Sequence, residues 1–381
     1  MARRKSTRRG RGEGTVSERP DGTWTGQVTT GYTEDGKQKR KTVYGKSQAD
    51  ALAKLAEVKQ QLATGTFSDT KLTVKEYLET WLKEKERQVK ARTAHDYRYN
   101  LEKYIYPKIG RTKLEKLTPL HVQRFLSEIA DLVSPDRANK CRRELLGAFK
   151  QAVRWGLIPR NPVDAVAPLK HERREMVLWT GIQAAAFLDT ARAHRLYAFF
   201  YLAMSTGLRS GELLGLRWQD VQGDKLTIRQ NFVKVGSKTI IETPKTKRGK
   251  RVVAISPDVL ETLDAHRARQ DAERLPSWPD NGLVFVSEVG TPLNPDNLRR
   301  LRNSLMDYAK VPRIRLHDLR HLHASMAIKG GMDAKVLADR LGHARASFTL
   351  DVYSHLFDEQ RANSAVSLLD FLPKGDPQTA N

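Results

Sequence analysis

Between Arg315 and Tyr353 four residues fall at spacings that could act together on one phosphate. His317 and Arg320 are three apart in Arg-Leu-His-Asp-Leu-Arg, so on a helix they share a face and converge on a small anion. An apolar-periodic segment then leads to Leu341-Gly342-His343, where Gly342 reads as a helix stop that turns His343 back toward the same place. Tyr353 follows in Asp-Val-Tyr-Ser-His. A phenol with cations gathered near it is what nucleophilic attack on a phosphodiester needs. A second cluster lies upstream, in Ser205-Thr-Gly-Leu-Arg209-Ser-Gly-Glu212. Thr206-Gly207 breaks one helix and another begins near Ser210, which puts Arg209 at a helix N-terminus where backbone amides also attract anions. Glu212, one turn on, can orient the guanidinium without neutralising it. Taken alone, Arg with Glu at i+3 is an ordinary structural pair.

A metal reading of the same segment competes with this one. His317, His321 and His323 are close together, and a pair at i and i+2 invites zinc. Companion Cys, Asp and His ligands at familiar spacing are missing, and Arg320 between the histidines repels a cation. The expectation is a site without metal.

Such chemistry needs a body that holds nucleic acid. The chain has 381 residues, enough for two or three domains with their own cores, and a formal net charge of +23. That field favours a polyanion over a small neutral substrate. An anionic membrane surface is the competing partner. The longest uncharged apolar run, Leu196 to Leu208, falls short of the roughly 20 residues a spanning helix needs. The basic N-terminus lacks the apolar stretch of a signal peptide. A single cysteine, Cys141, excludes an internal disulfide and a Cys-cluster metal site. These features describe a cytoplasmic protein with no membrane partner.

Residues 1–13 carry Arg3, Arg4, Lys5, Arg8, Arg9 and Arg11 among Gly and Ser and read as a flexible basic tail. Residues 14–64 read as three short strands separated by turns at Pro20-Asp21-Gly22 and Glu34-Asp35-Gly36. A helix capped by Ser47 follows, with Ala51, Leu52, Leu55, Val58 and Leu62 available to cover one sheet face. The other face is expected to present Lys37, Lys39 and Lys41, as a basic surface able to enter a DNA groove. After a linker at 65–72, residues 73–166 read as helices opened by Thr73, Thr118-Pro119 and Ser134-Pro135. A linker at 167–177 precedes a mainly helical domain, 178–372, and a tail at 373–381. That domain carries one β-rich insert, Lys225 to Ile255, expected to form three antiparallel strands. Lys245, Lys247 and Arg248 lie at its hairpin, where they could meet DNA.

In order along the chain stand Arg209 in Thr-Gly-Leu-Arg-x-x-Glu-Leu, Lys245 in Pro-Lys-Thr, His317-x-x-Arg320, Leu-Gly-His343 and Tyr353. This set closely resembles the tyrosine recombinase family, specifically phage-type integrases with an N-terminal arm-binding domain. The resemblance covers nearly the whole chain. It implies a multidomain, mainly α tyrosine recombinase fold: a three-stranded sheet plus helix that binds arm sites, a helical core-binding domain, and a helical catalytic domain with a small β insert. It also implies that Tyr353 attacks the scissile phosphate, leaving a 3′-phosphotyrosyl link and a free 5′-hydroxyl. Arg209 and Arg320 would hold the non-bridging oxygens in a forked geometry that lysine cannot reproduce. His317 would take the phenolic proton or hydrogen-bond the phosphate, and His343 would donate a further hydrogen bond. Lys245 would protonate the leaving oxygen, although Lys247 and Lys250 share its hairpin. No metal or nucleotide cofactor is implied.

The implied partners are double-stranded DNA at core and arm attachment sites, three further protomers in a tetramer, a host DNA-bending factor and an excision directionality factor, all in the bacterial cytoplasm at the nucleoid. The C-terminal segment Arg361 to Leu372 could pack on its own domain or on a neighbouring protomer. The rival readings are a type IB topoisomerase-like enzyme, which acts on one strand without pairing sites, and a non-catalytic DNA-binding regulator.

Overall fold

The computed structural model describes residues 14–32, 35–64, 67, 71–170, 177–236, 238–242 and 249–343, together with 345, 347, 350 and 353. The chain divides into two compact units, Met1–Arg173 and Arg174–Asn381.

In the first unit, β1 (Thr15–Glu18), β2 (Trp24–Tyr32) and β3 (Gln38–Gly45) form an antiparallel sheet in that order. The turn between β1 and β2 is fixed by Gly22 at φ 78° and by the Asp21 carboxylate, which accepts the Thr23 amide at 3.0 Å. Ser47 caps α1 (Gln48–Ala63) by accepting the Asp50 amide. Ala51, Leu55 and Val58 make the buried stripe of α1, and Val28, Val16 and Val43 meet it from the sheet. Leu52, expected to join them, is one position off that stripe and 49% exposed. Gly45 is required where strand meets helix, since a Cβ there would sit 2.4 Å from the Ala51 nitrogen.

Strand alternation corrects the face assigned to the lysines. Val28 faces α1 and pairs with Lys41, and Val43 lies two residues further along the same side. Lys39 and Lys41 therefore lie on the helix-covered side of β3, with Lys37 just before the strand. The uncovered face carries Arg40, Thr42 and Tyr44 beside Thr25, Gln27 and Thr29. Arg19 reaches the same face and stands 5.7 Å from the Tyr44 ring centre.

The helical part of this unit begins at α2 (Val74–Glu86), where Thr73 and Glu76 satisfy each other's backbone amides. α3 (Ala91–Asn100) runs through a π-helical turn, Leu101–Ile105, into α4 (Tyr106–Ile109). α5 (Pro119–Leu132) and α6 (Pro135–Arg154) start at the expected Thr118-Pro119 and Ser134-Pro135 pairs. Tyr77, Leu78, Leu101, Ile105, Leu126, Leu145 and Phe149 fill its core, and Cys141 lies among them with its thiol pushed up to about 12 by burial.

The second unit opens with α7 (Gly181–Ala191), capped reciprocally by Thr180 and Gln183, followed by α8 (Tyr197–Thr206) and α9 (Ser210–Leu214). The β insert is not one three-stranded sheet. β4 (Val221–Gln222) and β5 (Lys225–Ile228) pair with the distant β8 (Arg251–Ala254), whereas β6 (Asn231–Val235) pairs only with β7 (Lys238–Glu242) among the described residues. Gln230, at the break, donates from its side chain to the Gly215 carbonyl, so the strand run is interrupted by an anchor to α9. α10 (Pro257–Glu273), α11 (Pro295–Tyr308), α12 (Leu316–Lys329) and α13 (Ala334–Leu341) complete the unit. Phe187, Phe199, Phe200, Leu226, Val253, Phe285 and Leu319 belong to one buried core that ties α7, α8, the β4-β5-β8 sheet and α12 together. No helix among the described residues is long and apolar enough to cross a membrane.

Candidate active site

The second unit positions its reactive groups with two left-handed glycines. Gly207 ends α8 at φ 64°, and an added Cβ would lie 2.6 Å from the His323 ring and 2.7 Å from a Leu341 methyl. Only glycine fits, and the turn it makes delivers Arg209 to the start of α9. There the Arg209 amide donates to Glu212 Oε2 at 2.9 Å while its Nη1 donates to Oε1 at 2.8 Å. Gly342 ends α13 at φ 67° and turns His343 inward, where it is buried. Both glycine expectations are met, as is the orienting contact of Glu212.

α12 supplies the central group. Asp318 closes its first turn by accepting the Arg315 amide at 2.7 Å. One helical turn after His317 comes His321, and their rings stand perpendicular with centres 5.0 Å apart. Arg320, 3% exposed, donates Nη1 to the Gly207 carbonyl at 2.9 Å and Nη2 to the Leu341 carbonyl at 2.8 Å.

The last carbonyls of α13 thus receive three guanidinium groups in a row. Arg251 Nε donates to Arg340 O at 2.7 Å, Arg320 to Leu341 O, and Arg209 Nη2 to Gly342 O at 3.0 Å. Helix C-termini leave these carbonyls without intrahelical partners and carry partial negative charge, so cations are favoured there. The Arg209 and Arg320 bonds each use one of the two hydrogens on a terminal nitrogen, whereas Arg251 uses the single hydrogen of its Nε. Arg209 and Arg320 are thus aimed by the backbone and keep donors for an anion.

The electrostatics show the same convergence. Burial lowers Arg320 to about 9, with Arg209 contributing, and lowers His343 to about 4, with Arg320 and Arg209 contributing. His317 keeps an exposed side, so solvent tempers its shift, yet desolvation of its inner side, then His321 and Arg320, push it down. At neutral pH these imidazoles are uncharged. Glu212 stays ionised: burial opposes its charge, but the Arg251 bonds and the Arg209 amide outweigh it.

Tyr353 is 2% exposed against Ala324, Ile328, Leu337 and Leu341, and burial raises its phenol to about 12. Its hydroxyl lies 2.6 Å from His321 Nδ1. His321 is the imidazole in contact with the Tyr353 hydroxyl, and the His317 ring stands edge-on to it. His323 is structural, since its Nδ1 donates to Met204 O at 2.9 Å and its Nε2 accepts from Arg340 at 3.3 Å. With both His323 nitrogens so engaged, the three histidines do not share a metal, and no other group of three His, Cys, Asp or Glu among the described residues could hold one.

Six of the sequence candidates, Arg209, Glu212, His317, Arg320, His343 and Tyr353, are brought together. Lys245, Lys247 and Arg248 lie outside the described residues. Lys37, Lys39 and Lys41 belong to the first unit. Sequence reasoning passed over Arg251, Arg340 and His321. Only His321 carried a local signal, its i+4 spacing from His317.

Two family models match the chain: the phage integrase family over residues 180–360, and the phage integrase N-terminal SAM-like domain over residues 73–130. A tyrosine recombinase XerC-like protein of Caldanaerobacter subterraneus subsp. tengcongensis is 30% identical over 370 residues, covering 90% of this chain and 95% of that protein. The ICEBs1 integrase of Bacillus subtilis is 28% identical over 72% of this chain and 77% of its own. Among solved structures, the Tn1549 transposon integrase bound to circular intermediate DNA superposes with a TM-score of 0.66 at 22% identity, over 77% of this chain and 98% of that one. A lambda integrase tetramer bound to a Holliday junction gives 0.58 at 21% identity, over 90% and 96%. With a buried tyrosine, two carbonyl-anchored arginines and their histidines at one site, and a relative this similar over nearly its whole length, the chain belongs to the tyrosine recombinase family.

Proposed function

We propose that this chain is a site-specific recombinase of a phage or integrative element that cuts and rejoins DNA through a 3′-phosphotyrosyl intermediate. It integrates the element and, with accessory factors, excises it. The observation that carries the reading is the anchoring of Arg209 and Arg320 on the adjacent carbonyls of Gly342 and Leu341, beside Tyr353. Two guanidinium forks side by side match the two non-bridging oxygens of a phosphodiester. Such preorganised donors contribute roughly 3–4 kcal/mol each to stabilising developing phosphate charge.

Tyr353 attacks as its proton leaves. With the phenol near 12, full ionisation beforehand is rare at neutral pH, so the proton moves as the new P–O bond forms. The neutral imidazoles of His321 and His317 are the available acceptors. His343 donates to the phosphate, and Lys245 protonates the leaving 5′-oxygen. The ester bond energy is retained in the phosphotyrosine, so religation to a second strand needs no nucleotide.

The domain boundaries follow the same reading. Residues 14–64 bind arm sites, 73–166 grip core DNA, and 178–372 carry the chemistry. In the first of these the uncovered sheet face with Arg40, Thr42 and Tyr44 is the surface for DNA. A relative is seen as a tetramer on a Holliday junction, and strand exchange here uses four protomers in the same way. The working compartment is the bacterial cytoplasm.

A core duplex nicked next to the crossover tests this. Wild-type protein is expected to accumulate a covalent protein–DNA adduct because the cleaved end diffuses away. No adduct, or an adduct that persists in Tyr353→Phe, contradicts the proposal. Removing residues 1–64 should impair recombination of full attachment sites and spare cleavage of short core duplexes; equal loss of both would remove the two-site arrangement.

A further inference from the structure

Arg251 opens β8 and engages every nitrogen of its guanidinium inside the protein. Nη1 and Nη2 meet Glu212 Oε1 and Oε2 at 3.0 and 2.9 Å, and Nε donates to Arg340 O at 2.7 Å. The two side chains are 7% and 4% exposed, so this is a dry, two-toothed ion pair with no direct path to a substrate. Glu212 uses its remaining acceptor capacity on Arg209, receiving Nη1 on Oε1 and the backbone amide on Oε2.

The consequence lies in what Arg251 prevents. A buried carboxylate seeks as many charged donors as it can reach, because each unmet lone pair costs free energy. If Arg251 is lost, both oxygens of Glu212 open to Arg209 alone. Its fork then closes on the carboxylate, and Nη2 leaves the Gly342 carbonyl and the phosphate beside it. The Arg340 carbonyl also loses its donor, which loosens the turn that presents Leu341, Gly342 and His343. Resting on the recombinase reading above, we infer that Arg251 is a positioning residue for strand cleavage. It fills the far side of Glu212 and pins Arg340 O, so that Arg209 is shared between Glu212 and Gly342 O and points at the phosphate.

The test is a double-mutant cycle in the full chain on the nicked core duplex, reading single-turnover adduct formation, core-DNA affinity and thermal midpoint. Arg251→Gln is expected to slow cleavage by roughly 100-fold, the scale of a misplaced catalytic group, with core affinity within about twofold of wild type. In an Arg209→Lys background the same change should cost no more than about threefold, since the fork it positions is already gone. Arg251→Lys keeps the charge but not the two-toothed geometry, and should restore only part of the rate. If Arg251→Gln folds poorly, Arg251→Lys in both backgrounds carries the same comparison. Equal losses with and without Arg209, or full rescue by lysine, would overturn the inference, because a merely structural charge behaves that way. Wild-type adduct with undiminished cleavage by Arg251→Gln removes this role alone. No adduct from the wild type removes the recombinase reading and this role with it.

Discussion

Replacing Arg320 by lysine asks whether a fork, and not a positive charge, holds the phosphate. Arg320 is 3% exposed, and its two Nη atoms reach Gly207 O and Leu341 O at 2.9 and 2.8 Å from one planar group. A lysine ammonium can approach one of these carbonyls and leaves the other buried without a donor, at a cost of about 1–3 kcal/mol. For a unit of this size, about 2 kcal/mol lowers the thermal midpoint by roughly 4–8 °C. The chemical loss is larger, because one set of preorganised donors no longer meets the developing charge: about 10²- to 10³-fold in the cleavage rate. DNA affinity, spread over many phosphate contacts, should change little. Differential scanning fluorimetry, a filter-binding titration and single-turnover cleavage on the nicked duplex separate the three quantities. Cleavage within about fivefold of wild type, a loss of only about 1 kcal/mol, would refute the reasoning.

Other consequences follow from single contacts. Gly207→Ala forces a Cβ to 2.6 Å from the His323 ring at φ 64°, so a destabilisation of about 2–4 kcal/mol and reduced cleavage are expected from denaturant melts and adduct assays. His323 is held well below its ordinary value by burial, then by Arg340. A basic group with a depressed folded value stabilises above its unfolded value of about 6.5 and loses that contribution as pH falls toward about 4, so the catalytic unit should melt earlier at pH 5 than at pH 7.5. An unchanged midpoint between those conditions would contradict a neutral buried His323. Glu144 in α6 runs the opposite way: burial raises it to about 7, its Oε1 accepts from Asn100 at 2.7 Å, and its Oε2 has no hydrogen-bond partner among the described residues. An acid with a raised folded value stabilises below its unfolded value and loses that as pH rises through 7. Glu144→Gln should therefore stabilise the helical domain at pH 8, by on the order of 2–3 kcal/mol, and have a much smaller effect at pH 5, as thermal melts at the two pH values would show.

Local grammar carried much of the fold. Ser47, Thr73, Thr118 and Ser134 all cap helices where the sequence places them, because a cap is decided by residues three positions apart. Gly207 and Gly342 were legible for the same reason. What failed was non-local. β5 finds its partner in β8 across the whole insert, and nothing in Lys225–Ile228 names Arg251–Ala254 as its neighbour. Lys39 and Lys41 drew attention by charge, whereas Val43, the apolar residue of the same parity, decides which way they face. Arg251 acts on Glu212 from 39 positions away, so no spacing rule reaches it. His321 and His317 share a helical face, and which one meets Tyr353 depends on where residue 353 folds, a tertiary question.

The chemistry of the covalent link is the most direct test of recombinase action. Digesting the adduct formed on the nicked duplex and sequencing the DNA-bearing peptide by mass spectrometry should find Tyr353 joined to a 3′-phosphate, with a free 5′-hydroxyl on the released strand. Attachment through any other residue, or through a 5′-phosphate, would contradict it.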